Sequence, residues 1–164
     1  MRFALAALAL LAVSAPPAAA QSFGGPGGAV RAQDLVDWRV RVQQAGRGGE
    51  ARVVLDATVA PGWRLYAVDS PVGRPLSVTT EPLPEGVEAL ALRQSATRTA
   101  YDAAFESDYT YFAGTGRVVL PLRIARAAAR GRHEVRGAVA YAVCDDSVCL
   151  PPARSAFRVP LRVE

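Results

Sequence analysis

His133-Glu134-Val135-Arg136-Gly137-Ala138-Val139-Ala140-Tyr141-Ala142-Val143-Cys144 keeps Val135, Gly137, Val139, Tyr141 and Val143 in every second position. A period of two is the mark of a half-buried β-strand, because successive side chains point to opposite faces of a sheet. The run leads without a break into Asp145-Asp146-Ser147-Val148-Cys149-Leu150-Pro151-Pro152, so the chain's two cysteines sit together at a strand end.

The same alternation recurs on both sides of this stretch. After Pro151-Pro152, the residues Phe157, Val159, Leu161 and Val163 alternate with Arg158, Pro160 and Arg162. Upstream, Val36, Trp38, Val40 and Val42 oppose Asp37, Arg39, Arg41 and Gln43. Beyond the turn Gly46-Arg47-Gly48-Gly49, Val53, Leu55, Ala57 and Val59 alternate in their turn, which reads as a β-hairpin. Pro61-Gly62 leads into a short aromatic strand, Trp63 to Val68, and further strands are expected at Leu76 to Thr80 and Gly86 to Leu92. Between Arg93 and Tyr111 the alternation fails while aromatic residues gather, which predicts a long functional loop. Val118, Leu120, Leu122 and Ile124 then define a strand in which Pro121 removes a donor, so an edge position or a bulge is expected there. Ala125 to Arg130 reads as at most one helical turn. About seven to nine short strands with turn signals between them predict an all-β, immunoglobulin-like antiparallel β-sandwich.

The chain has 164 residues, the size of one domain with one hydrophobic core. Its start differs in kind. Met1-Arg2 is positive, Phe3 to Val13 is apolar, and Ser14 to Gln21 is rich in small residues, the pattern of a secretory signal peptide over residues 1–20 with cleavage after Ala20. Residues 21–32 read as a flexible Gly-rich leader, and 33–164 as the domain. No later apolar run is long enough to span a bilayer. The expectation is therefore a monomer, soluble in the periplasm or otherwise exported, where cysteines meet oxidants. The net charge of +4, one unit of which belongs to Arg2 in the signal, is too small to argue for nucleic acid. The cations are all arginine and read as scattered along the chain rather than gathered on one face.

Cys144 and Cys149 admit three chemistries. A structural disulfide closing a ring of about six residues would remove roughly 2 kcal/mol of unfolded-state entropy, a modest gain for a domain of this size. A metal site is poorly supplied, because a closed zinc site needs four ligands and only His133, a full strand away, could join the two thiols. A redox pair, in which one thiolate attacks a partner's disulfide and the other resolves the mixed disulfide, fits two neighbouring thiols in an exported protein. Asp145 and Asp146 would raise a nearby thiol's pKa, which tells against a standing thiolate. On the residues alone, staple and shuttle stand level.

Tyr141 to Pro152 resembles the active-site segment of the N-terminal periplasmic domain of DsbD, the transmembrane thiol:disulfide reductase, in which a strand ends in Cys, a short acidic loop, Cys, an apolar residue and Pro-Pro. Pro61-Gly62-Trp63-Arg64-Leu65-Tyr66 is similar to that family's Gly-Trp-x-x-Tyr strand, and Tyr101-Asp102-Ala103-Ala104-Phe105 to its cap loop. The resemblance runs over residues 33–163. It implies a thiol:disulfide oxidoreductase that carries electrons to thioredoxin-fold partners, such as disulfide isomerases and cytochrome c maturation factors, without cofactor or metal. It assigns Cys149 to attack and Cys144 to resolution, places Tyr101, Asp102 and Phe105 in the cap with Phe105 covering the disulfide, and makes Tyr66, Tyr141 and Pro151 candidates for lining the site. The chain ends at Glu164, just after the last strand, so the expected electron donor is a separate membrane reductase. The rival expectation is a secreted immunoglobulin-like binding or assembly module whose disulfide is only a staple.

Overall fold

A computed structural model describes residues 29–164; the expected signal peptide and all but the last four residues of the leader lie outside the described residues. After a 3₁₀ turn at Ala32–Asp34, the chain runs through β1 (Val36–Gln43), β2 (Glu50–Val59), β3 (Arg64–Tyr66), β4 (Ser77–Thr80), β5 (Val87–Ala89) and β6 (Arg93–Gln94). It continues through β7 (Arg98–Asp102), β8 (Ser107–Phe112), β9 (Thr115–Ile124), β10 (Gly131–Tyr141), β11 (Val143–Cys144) and β12 (Ala153–Val163). All the pairings are antiparallel. One sheet has the order β1-β2-β9-β5, with β6 also on β9; the others are β12-β10-β4 and β11-β3-β8-β7. The alternating residues read from the sequence meet between the layers: Val53, Leu55, Leu122 and Ile124 from the first sheet face Val135, Val139, Val159 and Leu161 from the second, and Leu65, Phe112 and Val143 from the third close the end. The architecture is the immunoglobulin-like sandwich that the periodicity predicts.

β10 and β12 form one long hairpin, with Gly131 opposite Val163 and Tyr141 opposite Ala153. The segment joining them leaves that sheet, and Val143 and Cys144 pair instead with Leu65 and Arg64 of β3 in the third sheet. The cysteine segment is thus shared between two sheets. Gly137 lets β10 pack closely against both its neighbours, since a Cβ there would stand 2.3 Å from the Thr79 carbonyl oxygen of β4 and 2.6 Å from the Phe157 ring of β12.

Four expectations change. The stretch from Arg93 to Tyr111 is not an irregular loop: it carries β6 and then the β7–β8 hairpin, with its turn at residues 103–106. This hairpin escapes a search for apolar alternation because its support is the stack of Tyr66, Tyr109 and Tyr111, with ring centroids 5.3 and 5.4 Å apart, rather than an aliphatic face. Ala125 to Arg130 forms a turn and no helix, pinned by the Ala125 N–H on the Gly86 carbonyl (2.8 Å) and by burial of Ala128. β9, which carries Pro121, is central rather than an edge; the irregularity falls in its partner. Ala89 stands opposite Leu122 and Arg93 opposite Val119, so four steps along β5–β6 meet three along β9, and the missing donor of Pro121 faces that break. The arginines do line up: strict alternation puts Arg132 opposite Arg162 and Arg136 opposite Arg158 across the outer face of β10 and β12, with Glu134 paired to Arg136 (2.5 Å) and Arg158 (3.4 Å).

On its outer side β12 has no strand neighbour among the described residues. There the Gln44 amide donates to the Pro160 carbonyl (3.0 Å) and accepts from the Arg162 N–H (2.8 Å), as a passing strand would.

Candidate redox site at the sheet junction

Cys144 and Cys149 form a disulfide and face each other as an isolated antiparallel bridge. Two backbone bonds hold the base of the loop, Leu150 N–H to the Val143 carbonyl (3.0 Å) and Asp145 N–H to the Val148 carbonyl (2.9 Å). Within it, the Asp145 carboxylate accepts from the N–H groups of Ser147 and Val148, both at 2.7 Å, an Asx turn that orders a four-residue tip. Those two bonds hold the Asp145 carboxyl below the usual carboxylate range.

The pair is unequal in exposure. Cys144 is 5% exposed, packed with Tyr66, Tyr109 and Ala142, whereas Cys149 is exposed. One cysteine residue of the pair is thus open to solvent and the other is held in the packing behind it. Both line a cleft of about 410 Å³ whose opposite wall is the β7–β8 hairpin, contributing Tyr101, Asp102, Ala103 and Ala104. That hairpin's turn is built like the cysteine loop: Asp102 accepts from the N–H groups of Ala104 (2.8 Å) and Phe105 (3.2 Å). Glu106 closes the turn in the left-handed region, at φ 50°.

Of the residues singled out from the sequence, the cleft brings together Cys144, Cys149, Tyr66, Tyr101 and Asp102. Phe105 is 54% exposed at the hairpin tip, beside the cleft rather than among its lining residues. Pro151 is exposed just past the loop and does not line the cleft either. Tyr141 lies in the main core, edge-on to Trp38 at 5.5 Å, with its hydroxyl 3.2 Å from Ser155 Oγ. Tyr66 is pressed into the site by Gly73, whose absent Cβ would fall 2.5 Å from the ring. Burial, then the charge of Asp102, push its phenol above the usual tyrosine value, so it stays protonated. His133 is on an exposed stretch of β10 with Nε2 3.0 Å from the Ala129 carbonyl, opposite Leu161 and away from the cysteines.

Sequence reading missed Arg64. It stands directly opposite Cys144 in the β3–β11 ladder, ion-pairs through one amino group with Asp146, donates from the other to the Tyr109 hydroxyl (3.1 Å), and lies 5.5 Å from the Tyr111 ring centroid. The acidic loop therefore does not present two free negative charges to the sulfurs. Asp146 is paired with Arg64, which weakens the electrostatic objection to a reactive thiol, while Asp145 keeps a charge that its own loop's N–H groups stabilise. The missing signal was long-range: nothing local in Gly-Trp-Arg-Leu-Tyr states which strand pairs with it.

A protein-family model described as thiol:disulfide interchange protein DsbD, N-terminal, matches residues 32–161. Among solved structures, the chain is similar to the N-terminal domain of DsbD from Neisseria meningitidis in the reduced form, at 20% identity and a TM-score of 0.51 over 79% of this chain and 92% of that one. It is also similar to the N-terminal periplasmic domain of ScsB from Proteus mirabilis, at 15% identity and a TM-score of 0.51 over 79% of this chain and 47% of that one. No curated protein matches the sequence. At these identities the two structures speak for the fold, while the family match covers most of the chain and places the paired cysteines inside it. With its sandwich, its strand-end disulfide and that match, the chain belongs to the family of the N-terminal domain of the thiol:disulfide interchange protein DsbD.

Proposed function

We propose that this chain is a periplasmic electron carrier, exported by a signal peptide over residues 1–20, that reduces thioredoxin-fold partners through Cys144 and Cys149 and is itself re-reduced by a separate membrane reductase. Disulfide isomerisation and cytochrome c maturation are the processes such partners serve. The observation that carries the reading is the unequal exposure of the two cysteine residues across an open cleft.

In the dithiol form, the Cys149 thiolate attacks one sulfur of the partner's disulfide. A Cys149–partner bond forms, the partner's own S–S bond breaks, and its second sulfur leaves as a thiolate. Cys144, deprotonated, then attacks Cys149 Sγ; the Cys144–Cys149 bond forms and the intermolecular bond breaks. Two electrons have passed to the partner, and its two thiolates take up the two protons that the cysteines released. The β7–β8 turn, with Tyr101 and Asp102 in the cleft wall and Phe105 at the exposed tip beside it, is the segment that folds over the pair as a cap and gives way to a docking partner.

Cys144→Ala, leaving Cys149 free, is expected to accumulate a mixed disulfide with an oxidised thioredoxin-fold protein on non-reducing gels, and Cys149→Ala to accumulate far less. A wild-type pair that stays oxidised in strongly reducing buffer, with no adduct from Cys144→Ala, would leave only the structural staple.

A further inference from the structure

The reaction proposed above needs the buried cysteine to become a thiolate, and its surroundings oppose this. Cys144 is 5% exposed among Tyr66, Tyr109 and Ala142, and burial disfavours a thiolate. The charged and titratable groups around it are few. From the loop come Asp145, engaged by the Ser147 and Val148 N–H groups, and Asp146; from β7 come Tyr101 and Asp102; from β3 and β8 come Tyr66, Tyr109 and Tyr111. Among the described residues, Arg64 is the one cation lining the cleft.

Direct opposition in an antiparallel ladder puts the side chains of Arg64 and Cys144 on the same face, with Cβ atoms about 5 Å apart. The guanidinium is held there from three sides, by Asp146, by the Tyr109 hydroxyl and by the Tyr111 ring. Asp146 is 82% exposed in its side chain, whereas Arg64 is 29% exposed, so the acid is a solvent-side counterion and the base is the inner member of the pair.

We propose that Arg64 is a positioning residue for the resolving step: it stabilises the Cys144 thiolate that attacks Cys149 Sγ, with Asp146 as the counterion it partly releases as that charge develops. The inference rests on the exchange reading above for its biological use, but the thiol's ionisation can be read without any partner.

The test is a thiolate titration by ultraviolet absorbance on the mature protein carrying Cys149→Ala, so that Cys144 is the sole thiol. Adding Arg64→Gln removes the cation and frees Asp146, and is expected to raise the Cys144 pKa by about one unit or more. Arg64→Lys is expected to restore most of it. Asp146→Asn, at an exposed loop position, is expected to move the pKa down. Opposite shifts from two members of one ion pair distinguish an electrostatic role from loosened packing, which would move both the same way. With both cysteines present, Arg64→Gln is expected to slow resolution of the transient mixed disulfide about threefold at neutral pH, since higher intrinsic nucleophilicity returns roughly half of the lost thiolate fraction. A Cys144 titration unmoved by Arg64→Gln, or moved the same way by Asp146→Asn, overturns the proposal even if exchange itself is found. Absence of exchange with the opposite shifts intact would overturn the function and the resolving role, and leave only the stabilisation of the Cys144 thiolate by Arg64.

Discussion

Asp145 illustrates how one side chain decides the shape of a reactive loop. Its carboxylate takes the Ser147 and Val148 N–H groups, and its pKa lies below the ordinary Asp range for that reason first. A carboxyl depressed in the folded state contributes order that is complete above the unfolded pKa and is lost as pH falls through the folded one. Lowering the pH is therefore expected to shift the Ser147 and Val148 amide resonances with a midpoint below about 3.9, and Asp145→Ala is expected to show the low-pH positions already at neutral pH. An unshifted midpoint would mean that the turn does not depend on the carboxylate. At this scale the sequence was partly legible. Two cysteines with four residues between them announce themselves, whereas Asp145 read only as a charge and its turn came with the structure. Arg64 was opaque, because its importance comes from standing across from Cys144 on a strand 80 residues away in the chain.

The β7–β8 hairpin is the element that sequence periodicity misjudged and the site most depends on. Tyr101 and Phe105 are exposed at 64% and 54%, and Val148 of the facing loop at 49%, so three of the four large hydrophobic residues exposed among the described residues surround the disulfide. The strand pattern failed here because neither side of the hairpin is a uniform aliphatic face; its register is set by aromatic contacts with β3 and by the Asp102 turn. If the hairpin tip caps the pair, Phe105→Ala is expected to raise the rate at which a small thiol reduces the disulfide severalfold while leaving the thermal midpoint nearly unchanged. Equal rates for the wild type and the variant would take Phe105 out of the cap and leave Tyr101, Asp102 and the turn backbone as the cleft's wall.

For the molecule as a whole, the weight of stability lies far from the cysteines. The core runs from Val53 and Leu55 through Leu122 and Ile124 to Val135 and Leu161, and its β-sandwich was readable because each of these strands repeats an apolar residue every second position. The disulfide closes only a short ring. Replacing both cysteines by alanine is therefore expected to leave a cooperatively folded protein, weakened by no more than about 2 kcal/mol, whereas Leu65→Ala, fully buried beside the site, is expected to cost about 2–5 kcal/mol. Denaturant titrations of the two variants compare these directly; a double-cysteine variant less stable than Leu65→Ala would favour the staple. The Gln44 amide on the outer edge of β12 bears on a different property. A bare strand edge is a template on which another chain can continue the sheet, and this one has its Pro160 carbonyl and Arg162 N–H already occupied, at a position where proline offers no donor of its own. At that point of the protein's longest hairpin an incoming strand would have to displace the Gln44 amide before it could pair, so this stretch of the edge is a poor template for sheet extension.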